Sequence, residues 1–495
     1  MQLEKLIDVL KPLEIKNYDK KIDIKGISYN SQLTKAGDIF VCLKGEYSDG
    51  HNWAKMAKDR GALALLCERA LEVELPQLIV ESTRQKIADV AALLCEYPTE
   101  NLNLIGVTGT NGKTTVTHLL QKIFEKNSQK CALIGTLGHK LSSNDTYHDA
   151  KHTTPQAPEL QAVMKKIKDN DINNVVMEVS SHALEQNRVG RCFFKGAVLT
   201  NLTQDHLDYH ITMDNYFDAK SILFKNLKEG NFAIINADDE YAKRFENVVP
   251  VGVKVLTYGI KNQADIMAKN IEFSTLGVKF DFVYGEKSQK IQLKMNGIFS
   301  VYNALAALGA AIGTGLNLEK SIEILEETAG VAGRFEIVNN HPMVIVDYAH
   351  TPDGLENVLK TAREITPHNG KLICIFGCGG DRDATKRPKM GAIADKLSDK
   401  IIITSDNPRS EDPQQIISDI LTGIQSINPN RVFVEEDRGI AISMIKNIAG
   451  ENDVVMLAGK GHEDYQILKD KTIHFDDREE VRMLFDEKNG GNKNG

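Results

Sequence analysis

Glycine, threonine and lysine stand together at Gly109-Thr110-Asn111-Gly112-Lys113-Thr114-Thr115, a combination suited to holding a polyphosphate. Glycines let backbone N–H groups approach phosphate oxygens, and the N-terminus of a helix starting near Lys113 favours negative charge. The lysine adds a full cation, and the Thr114 hydroxyl is a hard ligand for Mg2+. The spacing departs from the general phosphate-loop pattern, because Val107 occupies the position five before Gly112 where glycine is usual. What remains is a tighter Gly-Thr-Asn-Gly-Lys-Thr loop, and it predicts nucleotide binding.

Other reactive residue types fall just past apolar runs. Glu178 follows Asn174 to Met177 and precedes Val179-Ser180-Ser181-His182. A carboxylate at the C-terminal end of such a strand is placed to bind Mg2+. The run Gly196 to Leu199 leads to Asp205, His206, Asp208 and His210. Zinc is one use of such a cluster, but no cysteine pair or His-Glu-x-x-His spacing accompanies it, so magnesium is expected. Lys220 opens an apolar helical stretch, where a lysine ordinarily extends to solvent or pairs with an acid. Lys151-His152-Thr153-Thr154-Pro155 is a hydroxyl-rich turn, and Gly333-Arg334 suits a phosphate or a domain junction.

These residues need elements to carry them. Leu102 to Val107 reads as a buried parallel strand and the stretch after Gly112 as a helix, giving strand, loop and helix. Before it, residues 1 to 100 predict a small α/β domain, with strands at Asp38 to Leu43 and Ala62 to Cys67 and a helix at His51 to Arg60. Residues 101 to 335 predict a central domain with an ATPase-like parallel sheet, and Ala264 to Gly285 alternates like antiparallel β. Residues 336 to 495 predict a Rossmann-like domain, with strands at Met343 to Val346, Lys371 to Phe376, Lys400 to Thr404 and Asp453 to Leu457. Its strands end in Asp347-Tyr348-Ala349-His350, Gly377 to Asp383, Ser405-Asp406-Asn407-Pro408-Arg409 and Gly459-Lys460-Gly461-His462-Glu463. Four polar loops on one sheet edge predict a site. The tail from Asn489 is expected to fray.

Composition narrows the class. A chain of 495 residues is long enough for two to four domains, and 42% hydrophobic with 26% charged residues is ordinary for a globular protein. A net charge of -8 argues against a nucleic-acid binder. Seven scattered cysteines, no apolar signal segment and no run long enough to cross a bilayer predict a cytoplasmic protein with free thiols.

Taken in order, Gly109 to Thr114, Glu178 to His182, Asn201 to His206, Tyr302-Asn303, Gly333-Arg334 and Asp347 to His350 resemble the motifs of the Mur ligase family of peptidoglycan precursor synthesis, across essentially the whole chain. The Thr153-Thr154-Pro155 turn and the Asp406-Asn407-Pro408-Arg409 loop resemble the branch that adds the third residue of the stem peptide.

The resemblance implies an ATP-dependent amide ligase acting on UDP-N-acetylmuramoyl-L-alanyl-D-glutamate through an acyl phosphate. It places ATP on Gly109 to Thr115, Asn303, Arg334 and Asp347. Lys113, Glu178, His206 and Lys220 take the catalytic roles. Metal ligation falls to Thr114 and Glu178 for one Mg2+, and to His206 with a CO2-derived carbamate on Lys220 for further support. The UDP-linked dipeptide would lie against Ser31, Thr153, Thr154, Ser180, Gln186 and Arg188; the family usually carries Asp-Ser-Arg where this chain has Asn30-Ser31-Gln32.

Arg382, Asp406, Asn407, Pro408, Arg409, Gly459 and Glu463 match the amino-acid pocket. Arg409 favours meso-diaminopimelate, whose second carboxylate a guanidinium fork pairs, over L-lysine, which would leave it unpaired. A lysine-adding enzyme, a sister Mur or folyl-polyglutamate-type ligase, and a nucleotide switch without ligase activity are the alternatives. A monomer without membrane span or nucleic-acid partner is expected.

Overall fold

Strands buried on both faces read as unbroken apolar runs, and three sheets are built on such runs. The computed structural model describes residues 1–19, 21–45, 48–148, 152–274 and 277–486. Glu46 and Tyr47 of the loop after Lys44, Lys151 of the hydroxyl-rich turn, and the tail from Asn489 lie outside the described residues.

The first sheet has five strands, in the order Glu14–Lys16, Gln77–Ile79, Ala64–Cys67, Asp38–Val41 and Gly26–Ser28. The first pairs antiparallel and the rest parallel. Helices Leu3–Leu10 and Thr83–Leu94 bury Leu3, Leu6, Leu10, Ile87 and Val90 against it. The segment expected to be helical from His51 is a short 3-10 turn, Gly50–Trp53, leading into the helix Ala54–Asp59.

The central sheet has ten strands and is mixed rather than purely parallel. Lys254–Gly259, Phe232–Asn236, Phe194–Leu199, Asn103–Thr108, Asn174–Glu178 and Cys131–Gly135 run parallel in that order. Ile266–Ser274, Gly277–Tyr284 and Lys287–Leu293 extend it on one side, with antiparallel pairing among themselves, and Gly138–Lys140 closes the other edge. The last strand of the extension has exposed polar residues, so no alternation announced it.

Helices Lys113–Lys126, Ile298–Thr314 and Leu318–Glu327 cover one face, while Ala157–Asp169, Met213–Lys225 and Ala242–Val248 cover the other. After Asn103–Thr108 the chain crosses to one side, whereas the neighbouring strand Phe194–Leu199 continues to the other. Their loops therefore diverge, which opens a crevice at the strand ends.

The third sheet runs Glu336–Asn340, Met343–Asp347, Val454–Ala458, Leu372–Phe376, Lys400–Ile403 and Val432–Val434, parallel except for its first strand. A hairpin, Tyr465–Ile467 with Thr472–His474, and the helix Asp477–Phe485 complete this part. The amino-terminal part docks on the central one through Tyr29 OH donating to Glu159 (2.7 Å), Asn187 donating to the Gln85 carbonyl (2.9 Å), and the Arg191–Asp89 ion pair. Among the described residues no helix is long and apolar enough to cross a membrane. None of the seven cysteines is in a disulfide.

Candidate functional site

The loop after strand Asn103–Thr108 is shaped by two glycines in backbone conformations that other residues rarely adopt. Gly109 has φ +146° and Gly112 φ +87°. A Cβ on the first would stand 1.9 Å from Thr200 Oγ1, and one on the second 2.5 Å from Asn303 Oδ1. The tight Gly-Thr-Asn-Gly turn thus fits only because both lack side chains, and it seats Asn303 against the start of helix Lys113–Lys126.

Lys113 Nζ donates to the carbonyls of Gly109 and Thr110, each at 2.9 Å. Lys220, in the middle of helix Met213–Lys225, donates to the same Gly109 carbonyl at 2.9 Å. Its side chain does not reach solvent and pairs with no acid among the described residues, contrary to the ordinary fate of a lysine on an apolar face. It is buried beneath the loop, above the Tyr216 ring. Burial, reinforced by the Lys113 charge, pushes its ammonium well below the ordinary lysine range, and Asp205 opposes the shift. Lys113 is lowered too, by burial first, with Glu178 and Asp205 opposing.

Glu178 closes strand Asn174–Glu178 and is fully buried. Its Oε2 accepts from Thr114 Oγ1 (3.1 Å) and Thr136 Oγ1 (3.0 Å), and its Oε1 from the Thr136 amide (3.0 Å). Arg334 reaches in from the linker to the third sheet, donates to Thr114 Oγ1 at 3.0 Å and lies over the Tyr348 ring at 4.4 Å. Asp347, at the end of strand Met343–Asp347, accepts from the amides of Phe335 (2.7 Å) and Ala349 (2.7 Å). Burial pushes its carboxyl up, although Arg334 draws it down.

A cleft of about 410 Å3 joins these groups, lined by Thr110 to Thr115, Thr153, Glu178, Ser180, His206, Asn303, Arg334 and Asp347 among others. Gly109 and Lys220 stand behind it rather than on its wall.

His206 has φ +53° and its Nε2 is 3.3 Å from Asp205 Oδ2. Burial pushes its imidazole down to about 3, with Asp205 opposing. Burial works to raise the Asp205 carboxyl, yet the charges of His206, His350 and Lys386 hold it below the usual range. Among the described residues no group of three or more His, Cys, Asp and Glu is placed to hold a metal. A hard cation here would draw instead on the oxygens of Thr114 and Glu178. The Thr114 and Glu178 oxygens fit such an ion because they converge to 3.1 Å.

Of the residues matched to the UDP-linked dipeptide, Thr153 and Ser180 line the cleft. Thr154 supports them, donating to the Glu178 carbonyl (2.8 Å) and accepting from the Ser180 amide (3.0 Å). Arg188 Nη1 donates to the Thr154 carbonyl (3.0 Å) and its Nη2 to Gln186 Oε1 (2.8 Å). Ser31 is buried in the amino-terminal part, separate from the cleft wall. Tyr29, two residues before it, donates to Glu159 of the central part, so the two parts meet there.

The amino-acid set gathers at the ends of the third sheet's strands. Asn407 Nδ2 donates to Glu463 Oε2 at 2.9 Å. Arg409, at φ +53°, donates to the Gly380 carbonyl at 2.8 Å. Burial lowers its guanidinium, and the neighbouring Arg382 adds to that shift. The Pro408 carbonyl accepts from the Glu411 amide (3.1 Å), and Gly459 passes within reach of Asp406. Arg382 in turn adds to the lowering of His182, whose ring packs on His206 at 4.8 Å. His462, next to Glu463, packs on Tyr348 of the cleft wall with ring centroids 5.0 Å apart, so the amino-acid loops adjoin the interdomain cleft that holds the phosphate loop.

Sequence reasoning missed Thr136, which supplies two of the Glu178 contacts, and Lys460, which sits under the amino-acid loops. Thr136 carried no local signal. Lys460 lies within the glycine-rich loop Gly459 to Glu463, where only its burial singles it out.

Models of three families match the chain: the Mur ligase family catalytic domain over residues 23–100, the Mur ligase middle domain over 107–311, and the Mur ligase glutamate ligase domain over 333–461. The UDP-N-acetylmuramoyl-L-alanyl-D-glutamate--2,6-diaminopimelate ligase of Clostridium botulinum is 45% identical over 489 residues, covering 97% of this chain and 99% of its own. That of Bacillus velezensis is 44% identical over 488 residues, covering 97% and 98%. A solved structure of a ligase with the same name superposes with a TM-score of 0.70 at 34% identity, covering 99% of both chains. Three domain matches in order, with relatives alike over nearly full length and a cleft joining the middle and last parts, show that this chain belongs to the Mur ligase family.

Proposed function

We propose that the protein joins meso-2,6-diaminopimelate to the D-glutamate of UDP-N-acetylmuramoyl-L-alanyl-D-glutamate at the expense of ATP, releasing ADP and phosphate. The observation that carries this reading is the pairing, across one interdomain space, of a phosphate loop with an amino-acid pocket that holds both guanidinium and carboxylate groups. The 45% identity to a ligase named for the same reaction supports it.

In this reading ATP lies along Gly109 to Thr115 with its phosphates against Lys113, and Asn303, Arg334 and Asp347 hold it from either side of the junction. The glutamyl carboxylate attacks the γ-phosphorus and ADP leaves. The amine of diaminopimelate then attacks the acyl carbon, and phosphate departs as the amide forms. Thr153, Thr154, Ser180, Gln186 and Arg188 orient the acceptor, with Ser31 toward its nucleotide end; this fixed orientation removes much of the entropic barrier.

Thr114 and Glu178 would hold one Mg2+, and His206 with Lys220 as its carbamate a second, supplying neutralisation of the crowded phosphate charge. The burial of Lys220 supports the carbamate, because only the neutral amine reacts with CO2 and desolvation favours that form. Arg409, with Arg382, takes the distal carboxylate of diaminopimelate, and Asp406, Asn407, Pro408, Gly459 and Glu463 shape the remainder. The protein works as a cytoplasmic monomer.

The test is phosphate release with ATP, Mg2+ and the UDP-linked dipeptide, comparing meso-diaminopimelate with L-lysine. Release with diaminopimelate and little with lysine is expected. Equal release with both removes the role given to Arg409, and release without any amine or acceptor removes the ligase reading.

A further inference from the structure

Under the amino-acid loops lies a lysine with no surface exposure at all. Lys460 Nζ donates to the Tyr465 carbonyl (2.7 Å), to Asn407 Oδ1 (3.3 Å) and to Glu463 Oε2 (3.4 Å). Those contacts use the three protons of an ammonium. Asp406 Oδ1, also 3.4 Å away, is therefore left with the charge of Lys460 but no hydrogen bond. Lys460 thus ties the loop after strand Lys400–Ile403 to the loop after strand Val454–Ala458.

Its geometry also orients Glu463. Both bonds to that carboxylate, from Asn407 Nδ2 and Lys460 Nζ, go to Oε2, which leaves Oε1 without a hydrogen bond among the described residues. Two carboxylates and one ammonium leave a single negative charge. Beside them stand Arg409 and Arg382. The distal end of a diamino dicarboxylic acid carries one ammonium and one carboxylate, which is the complement of that arrangement.

We propose that Lys460 is a positioning residue for selection of the amino acid: it cancels one of the two carboxylates and holds Glu463 by Oε2, so that Oε1 meets the distal ammonium. The inference rests on the diaminopimelate reading above. The other charged and titratable groups facing Glu463 are Asp406, Arg409, Arg438, Tyr348 and Tyr465. Burial and then Asp406 push its carboxyl up, and Lys460 opposes them.

The experiment compares wild type with Lys460→Met, measuring KM for diaminopimelate, ATP and the UDP-linked dipeptide and the pH profile of kcat/KM for diaminopimelate. Direct ATP binding checks that the variant folds. Wild type that does not use diaminopimelate refutes the underlying reading rather than this inference.

With wild type active, KM for diaminopimelate should rise about 30-fold or more in Lys460→Met, as when a buried hydrogen-bonded charge loses its partner. KM for ATP and for the dipeptide should change less than about 3-fold. The acidic limb of the profile should move to higher pH, because Glu463 then titrates without its counter-charge. In a Glu463→Gln background the same substitution should have much less effect, since coupled residues are not additive. Equal rises in all three KM values, or an undiminished effect in that background, overturn the proposal. If Lys460→Met does not bind ATP, Lys460→Arg carries the comparison: an acidic limb at its wild-type position supports the proposal, and one displaced upward overturns it.

Discussion

Arg334 offers the sharpest test of how the two halves of the nucleotide site meet, because one side chain makes the connection. In Arg334→Ala the hydrogen bond to Thr114 Oγ1 at 3.0 Å is lost, along with the contact over the Tyr348 ring at 4.4 Å. A hydrogen bond from a charged donor contributes about 1.5–3 kcal/mol. A desolvated cation over an aromatic face adds about 0.5–2 kcal/mol. Against these stands the buried Arg334 Nε, which has no partner among the described residues. Removing that unsatisfied group returns about 1 kcal/mol.

With the joined arrangement as the form that uses ATP, the remainder, about 1–4 kcal/mol, corresponds to a loss of roughly 5- to 900-fold in kcat/KM for ATP. The assay is phosphate release at saturating diaminopimelate and acceptor with ATP varied, alongside Arg334→Lys. Lysine keeps the charge but not the planar fork and should recover only part of the loss. If Arg334→Ala leaves kcat/KM for ATP within 2-fold of wild type, or if lysine restores it fully, the junction does not work through the guanidinium contacts described.

Three further outcomes follow from neighbouring geometry. Lys220→Ala should lose most activity and regain part of it when short carboxylic acids are added to the phosphate-release assay; no recovery would leave the carbamate without support. Arg409→Ala should raise KM for diaminopimelate about 10- to 100-fold, the cost of a charged hydrogen bond, with little change for ATP; an equal change in both would contradict a carboxylate clamp. His462 packs on Tyr348 with ring centroids 5.0 Å apart, and burial pushes it down to about 3 from 6.5. Its folded value lies below its unfolded one, so its stabilising contribution is complete above about pH 6.5 and declines as the pH falls toward 3. Melting temperature should therefore fall less steeply across that range in His462→Phe, and an identical slope would show that other groups set it.

Features that announce themselves locally were legible in the sequence. The Gly109–Thr115 loop showed itself because an apolar strand, glycines and a helix occur in one short stretch. Glu178 stood out because a parallel strand ends in a carboxylate. The strand at Lys287–Leu293 did not, because its outward polar residues mask the period-2 pattern of a paired strand. Contacts between distant segments were less accessible: Thr136 on Glu178, Arg334 on Thr114 and Lys460 between two loops depend on strand order, which no spacing encodes. The fate of Lys220 is the clearest case, since helical periodicity places it on an apolar face but only the fold puts Gly109 directly above it.

The convergence of Lys113 and Lys220 on the Gly109 carbonyl has its own consequence. A peptide oxygen carries only a fraction of an electron's charge and Lys220 stands behind the cleft wall with burial favouring its neutral amine, so the cation offered to the cleft is Lys113, which with the amides at the start of its helix attracts compact anions of any kind. Sulfate or inorganic phosphate in a buffer competes there with the nucleotide, which makes salt identity, and not ionic strength alone, a determinant of apparent nucleotide affinity. Inhibitors that end in a small dianion gain the same foothold without needing a purine.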